Sequence, residues 1–208
     1  MRARGVTLVE LLVGATLLVL VFVLTFGYLI PATKAAYRYR TRSHLHQLAV
    51  VVLARLEEAA GTTAPGGLSW SESDPVALGF NPVDRVQAGN AALLWTNRFE
   101  LFWWDQSAQA LKHTNWPPGP PTQEAGESSI LKAKRLSRSR IREITLNAPQ
   151  SRVLAEGVTG FSVTHAGDES TLIQPVKVSI EITETGPREA QDKQVVRQSL
   201  TFRVVNQQ

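Results

Sequence analysis

Glu10 is the single charge in an apolar run of 25 residues from Val6 to Ile30, where the other polar side chains are Thr7, Thr16 and Thr25, with Tyr28 amphipathic. A carboxylate at bilayer depth costs roughly 2.5–3.5 kcal/mol on insertion scales, so a plain anchor gains nothing from it and something must offset the cost. The simplest partner is a cation near the start of the same kind of helix, such as the free α-amino group that cleavage after Gly5 would create. Met1-Arg2-Ala3-Arg4-Gly5 is a short basic leader directly ahead of the run. A secretory signal is cut at small residues after its apolar run; here Gly5 stands before the run and a carboxylate stands inside it. The chemistry on offer is charge pairing in a low-dielectric setting.

Elsewhere the sequence is poor in reactive constellations. Cysteine is absent, which excludes a disulfide framework, a thiolate metal site and a cysteine nucleophile. No HExxH, GxSxG, P-loop or EF-hand pattern occurs. His44 and His46, two apart on an expected helix, point about 200° from each other and cannot share a metal. His113 and His165 are lone residues on expected strands, and Asp168-Glu169 reads as a solvated turn. No metal, cofactor or enzymatic activity is expected. The aromatic set Trp95, Phe99, Phe102, Trp103, Trp104 and Trp116 reads as core, although adjacent Trp103 and Trp104 must face opposite sides of a strand. One of them is outward unless both faces are covered. Residues 132–142 hold six cations and no acid: Lys132, Lys134, Arg135, Arg138, Arg140 and Arg142. Along a groove they could track a phosphate backbone; otherwise they form a solvated loop or a protected strand edge.

The elements that must position these residues follow from patterning. Of 208 residues, 43% are hydrophobic and 19% charged, which excludes a disordered polyampholyte. The net charge of +4 resides in residues 1–60, with 7 Lys/Arg against 3 Asp/Glu, while residues 61–208 carry 15 of each. The bulk of the chain therefore lacks the basic footprint of a DNA-binding domain. As a helix, residues 6–30 would be about 37 Å long, enough to span a hydrocarbon core of about 30 Å. After Pro31, residues 32–60 keep a helical period, with Leu45, Leu48, Val52, Leu56 and Ala59 on one face. If Pro31 only kinks the path, residues 6–60 form one helix of about 80 Å, with Gly27, whose carbonyl loses its partner, and Pro31 marking the bend. Residues 92–95, 99–104 and 108–113 read as a meander, 117–129 as a loop, and 141–146 and 158–165 as strands. Strict alternation over 176–182 and 195–205, broken at Gln198, predicts a half-buried antiparallel hairpin joined by residues 184–193. The expected fold is α+β: leader 1–5, membrane-spanning helix 6–30, amphipathic helix 31–60, and an antiparallel β-rich head over 61–208 on which the helix packs.

The stretch Gly5-Val6-Thr7-Leu8-Val9-Glu10-Leu11 resembles the leader junction of the type IV pilin and type II secretion pseudopilin superfamily: Gly, an aromatic residue, Thr, Leu, any residue, Glu, Leu. The resemblance covers residues 1–30 strongly and 31–60 by pattern. It implies that a prepilin peptidase cuts after Gly5 and methylates the new N-terminus at Val6. It further implies that Glu10 pairs with the α-amino group of a neighbouring subunit, and that the helix enters the core of a filament. The family favours Phe or Met where Val6 stands, a departure that bears on methylation more than on cleavage. The LARLEEA segment closing the helix and VLAEGVTGFSV at 153–163 look like minor pilins and J-type minor pseudopilins.

The resemblance thus implies a minor pilin-like subunit of a type IV pilus, in one version used for DNA uptake, or alternatively a J-type minor pseudopilin at the tip of a secretion pseudopilus. Its partners would be other pilins or pseudopilins, the prepilin peptidase, the inner-membrane assembly platform, the membrane before assembly and, in the uptake version, DNA. It would be a single-pass inner-membrane protein with its head outside the cytoplasm, then part of a periplasmic or cell-surface filament. A single-span anchored binding protein that never polymerises is the rival. Four cations follow the span (Lys34, Arg38, Arg40, Arg42) and two precede it, a balance that by the positive-inside rule favours the opposite orientation. The leader is given precedence because it addresses the chain to a dedicated route.

Overall fold

Helix α1 runs over Leu8–Gly61 and contains Pro31 in its interior. In the computed structural model, residues 7–86, 92–117, 129–130, 133–148, 150–167, 174–184 and 193–204 are described. Pro31 cannot donate to the Gly27 carbonyl, yet the helix continues through it. Just beyond, the Thr33 hydroxyl donates to the carbonyls of Leu29 (3.0 Å) and Ile30 (2.9 Å). The chain divides into two units, Met1–Ser43 and His44–Gln208.

In the first unit the side chains from Leu8 to Ile30 are exposed all round, from Leu8 at 83% to Leu29 at 49% among the large ones. The helix is long and apolar enough to cross a membrane. Among the described residues, this stretch presents a continuous exposed apolar surface, of the kind that marks an interaction site.

The second unit begins with the C-terminal part of α1, where Leu45, Ala49, Val52, Leu53, Leu56, Ala59 and Ala60 are buried. Their spacing of three and four forms the stripe expected of an amphipathic helix. The strands are β1 (Thr63–Ser71), β2 (Ala77–Val86), β3 (Leu93–Thr96), β4 (Phe99–Asp105), β5 (Ala110–Trp116), β6 (Ser129–Ile130), β7 (Arg152–Glu156), β8 (Val158–Thr164), β9 (Val176–Glu184) and β10 (Gln194–Phe202), with helix α2 (Arg138–Asn147) between β6 and β7. The larger sheet has the order β6-β3-β2-β4-β5-β7, with β1 paired to β2, and the smaller has the order β10-β9-β8. In β2, Ala77–Phe80 lies between β1 and β4, while Val83–Val86 pairs with β3.

Alternation along β2 and β4 gives the larger sheet two buried faces. Leu78, Phe80 and Phe102 join the α1 stripe and the inner face of the smaller sheet (Val176, Val178, Ile180, Ile182) in one core. Ala77, Leu101 and Trp103 point the other way, onto Ile141 and Ile144 of α2. Both faces being covered, adjacent Trp103 and Trp104 are both accommodated: Trp103 is 4% exposed, and Trp104 is half-buried against the main core.

The β9–β10 hairpin matches its expectation, pairing without a register shift from Gln194↔Glu184 to Phe202↔Val176. Gln198, the break in its pattern, has Nε2 3.0 Å from His46 Nδ1 on α1. Two expectations are corrected. Residues 141–146 are helical, because Ser137 caps α2 by accepting from the Arg140 N–H, and Ile141 and Ile144, one helical turn apart, are its buried contacts. The meander is interrupted, because β2 inserts between β3 and β4, and only β4 and β5 are adjacent. Residues 118–128 of the expected loop and 185–192 of the hairpin connection lie outside the described residues.

Candidate functional site

Glu10 sits at the third helical position of α1, three residues after Thr7. Its Oε2 accepts from the Thr7 N–H at 2.9 Å and from the Thr7 hydroxyl at 3.1 Å, while the Glu10 N–H donates to Thr7 Oγ1 at 3.3 Å. This reciprocal pair is a capping box, which satisfies donors that the first turn of any helix leaves orphaned. The spacing Thr-x-x-Glu ahead of an apolar run is its sequence signal, and reading Glu10 only as half of an ion pair passes over it. A carboxylate accepts more than two hydrogen bonds, so the cap leaves capacity for a further donor. It also holds the charge at the positive end of the helix dipole.

Gly5 and Val6, the expected cleavage and methylation positions, lie outside the described residues, as does Lys132. Gly27 is in the exposed part of α1, with open space where a Cβ would stand.

The rest of the basic stretch is largely occupied in holding the head together. Lys134 donates its backbone N–H to Asn81 Oδ1 (3.3 Å) and its ammonium to Asn97 Oδ1 (3.1 Å). Arg135 donates to the carbonyls of Gly66 and Pro65 at 3.1 and 3.2 Å. Arg140 contacts Glu143 at 2.5 Å and lies 5.5 Å over the Trp116 ring. Arg142 reaches Asp74 at 3.5 Å. On α2, Arg138 and Arg142 share a face and Arg140 points about 200° from each. The stretch is therefore divided between an extended strip along β1 and two sides of a short helix.

Asn81 is fully buried, and its Nδ2 donates to the carbonyls of Thr96 (2.8 Å) and Arg98 (2.7 Å). With the Lys134 bond this ties β2, the β3–β4 turn and the segment before α2 into one junction. Glu100 lies between Arg55 of α1 (3.4 Å) and His113 of β5 (3.6 Å). The neighbouring His113 ring, aided by the charge of Arg55, lowers its pKa against the opposing effect of burial. Asp105 receives Lys112 at 2.7 Å, the Ser107 hydroxyl at 2.6 Å and the Ala108 N–H at 3.0 Å. Those donors, Lys112 foremost, hold its carboxyl well below the usual range. His165 is fully buried in its side chain, with Nε2 3.1 Å from Glu72 Oε1, and its Nδ1 accepts from the Gly167 N–H. Among the described residues no group of three His, Asp or Glu side chains is arranged to hold a metal. A groove of about 830 Å³ runs between the β4–β5 turn and α2, and it includes the Asp74–Arg142 and Asp105–Lys112 pairs.

Comparison of the chain with protein-family models, with curated proteins and with solved structures finds no match.

Proposed function

We propose that this chain is a pilin-like filament subunit, cut after Gly5, held in the membrane by α1 and assembled through that helix. The supporting observation is the pairing of an uncovered apolar helix with a lone carboxylate in its first turn. A bilayer covers such a helix before assembly, and the helices of other subunits cover it afterwards. Cleavage would place a new α-ammonium on Val6, four residues ahead of Glu10. In a filament interior each charge alone is expensive, and the carboxylate of one subunit neutralises the ammonium of the next. The minor subunit of a type IV pilus is the version we favour, with a J-type pseudopilin as the alternative. DNA contact through Arg138, Arg140 and Arg142 belongs to the pilus version, and it would compete with the contacts that Arg140 and Arg142 already make.

The first test is the intact mass of the membrane-extracted protein with and without a co-expressed prepilin peptidase. A loss of about 570 Da, leaving Val6 as the start, is the expected result. An uncut chain in the presence of the peptidase overturns the proposal.

The capping box supplies a sharper second test. Glutamine at the third position of a capping box keeps the cap but not the charge. Glu10→Gln should therefore leave membrane level and helix content unchanged and abolish filament incorporation, read by shearing and immunoblotting. If Gln assembles normally and only Glu10→Val fails, Glu10 is a helix cap and the charge pair is dismissed. A salt-sensitive DNA mobility shift by the full chain in neutral detergent, lost in R138A/R140A/R142A, would favour the pilus version.

A further inference from the structure

We propose that Lys34, Arg38, Arg40 and Arg42, with Tyr37, form a collar that binds the headgroups of anionic phospholipids where α1 leaves the bilayer. The inference rests on reading α1 as a membrane span. The apolar run that starts at Val6 and ends at Ile30 is about 37 Å long as a helix, enough to cross a hydrocarbon core of about 30 Å with Ile30 at the far edge. Lys34 then lies about 6 Å beyond the opposite boundary and Arg38 about 12 Å beyond it. Helical side chains lean towards the N-terminus, so these two reach back towards the phosphates. Lys34, Arg38 and Arg42 recur every four residues and share a face, while Arg40 covers the other side. All four are exposed, and Tyr37 is 42% exposed, an amphipathic ring of the kind that settles at a membrane interface.

Charge complementarity selects the occupant. No Asp or Glu occurs between Glu10 and Glu57, so this stretch of α1 carries only positive charges of its own. A cationic cluster abutting an apolar span is matched by an anionic lipid surface, and its attraction acts over a Debye length of about 8 Å at physiological salt. Such a collar also gives the excess of cations after the span a role other than setting orientation.

The experiment uses the full chain in neutral detergent micelles, offered equal amounts of phosphatidylglycerol and phosphatidylcholine, with bound lipid read by native mass spectrometry. Each cation near an anionic surface contributes about five-fold in affinity, so phosphatidylglycerol should be retained at least ten-fold over phosphatidylcholine. K34Q/R38Q/R40Q/R42Q should abolish that preference. R152Q/K177Q/K193Q/R203Q, which removes four exposed head cations, should keep it. Equal retention of the two lipids by the unmodified chain overturns the proposal, as does equal loss in both quadruple variants. Competition by glycerol phosphate as effective as by the lipid would mean a free-anion site and also overturn it. Flotation with phosphatidylcholine vesicles separates the two readings: a chain that does not float removes the span itself, and one that floats without lipid preference removes only the collar.

Discussion

Asn81 is the polar side chain on which three segments of the head converge. Asn81→Asp keeps the size but replaces the two donors to Thr96 and Arg98 with acceptors. Burial of a charge facing two carbonyls should cost about 3 kcal/mol or more in denaturant unfolding at pH 7. The loss should shrink as the medium is acidified, because a protonated Asp regains one donor. Asp105 has the opposite dependence. Its folded pKa is depressed, so the stability it contributes is present above the unfolded value of about 3.9 and is lost as pH falls through the folded value. Asp105→Asn should flatten the acid limb of a stability-against-pH curve, and an unchanged limb would contradict the Lys112 pairing. Gly157 carries φ +71° where the chain passes from β7 in one sheet to β8 in the other, and a Cβ there would meet the Thr183 carbonyl oxygen at 2.5 Å. Gly157→Ala should cost about 2 kcal/mol or more by both backbone strain and that clash. At this scale the sequence marked Glu10 as exceptional through its charge alone. Its bond to Thr7 was legible too, as a capping box. The role of Asn81 was not, since it depends on three segments far apart in the chain.

Among the elements, legibility followed the strength of the local pattern. Val176, Val178, Ile180 and Ile182 alternate strictly because β9 is the central strand of a sheet with one buried face. By contrast, β1 contains Ala64-Pro65-Gly66-Gly67, a turn composition that falls here at the register shift between the Thr63 and Leu68 pairings with β2. α2 has only two buried apolar residues among ten, too few for a helical period to stand out. Its stability comes from the cap and from the sheet beneath it. Ser137→Ala should therefore cost about 1 kcal/mol, and Ile144→Ala about 2–5 kcal/mol, both measured by urea unfolding. If Ile144→Ala proves neutral, α2 does not cover the outer face of the larger sheet.

For the whole molecule, the last third of α1 is as much head as helix. Leu45, Ala49, Val52 and Leu56 belong to the same core as Phe80, Phe102 and Phe202. A chain that starts at His44 keeps that core, whereas one that starts at Thr62 exposes the inner faces of both sheets. The first should give a native near-ultraviolet dichroism spectrum, and the second should lose it and bind a hydrophobic dye. A native spectrum from the shorter chain would show that the sheets close without the helix.

The Gln198–His46 contact joins residues 152 positions apart, and Phe202 and Val204 complete a core that Leu45 begins. A ribosome adding about 5–20 residues per second needs roughly 8–30 s to make the intervening chain. Residues 8–30 emerge long before the strand that finishes the head. The apolar helix is thus fully exposed on the ribosome while the head is still an open polymer, so whatever receives that helix acts on a chain whose head has yet to close.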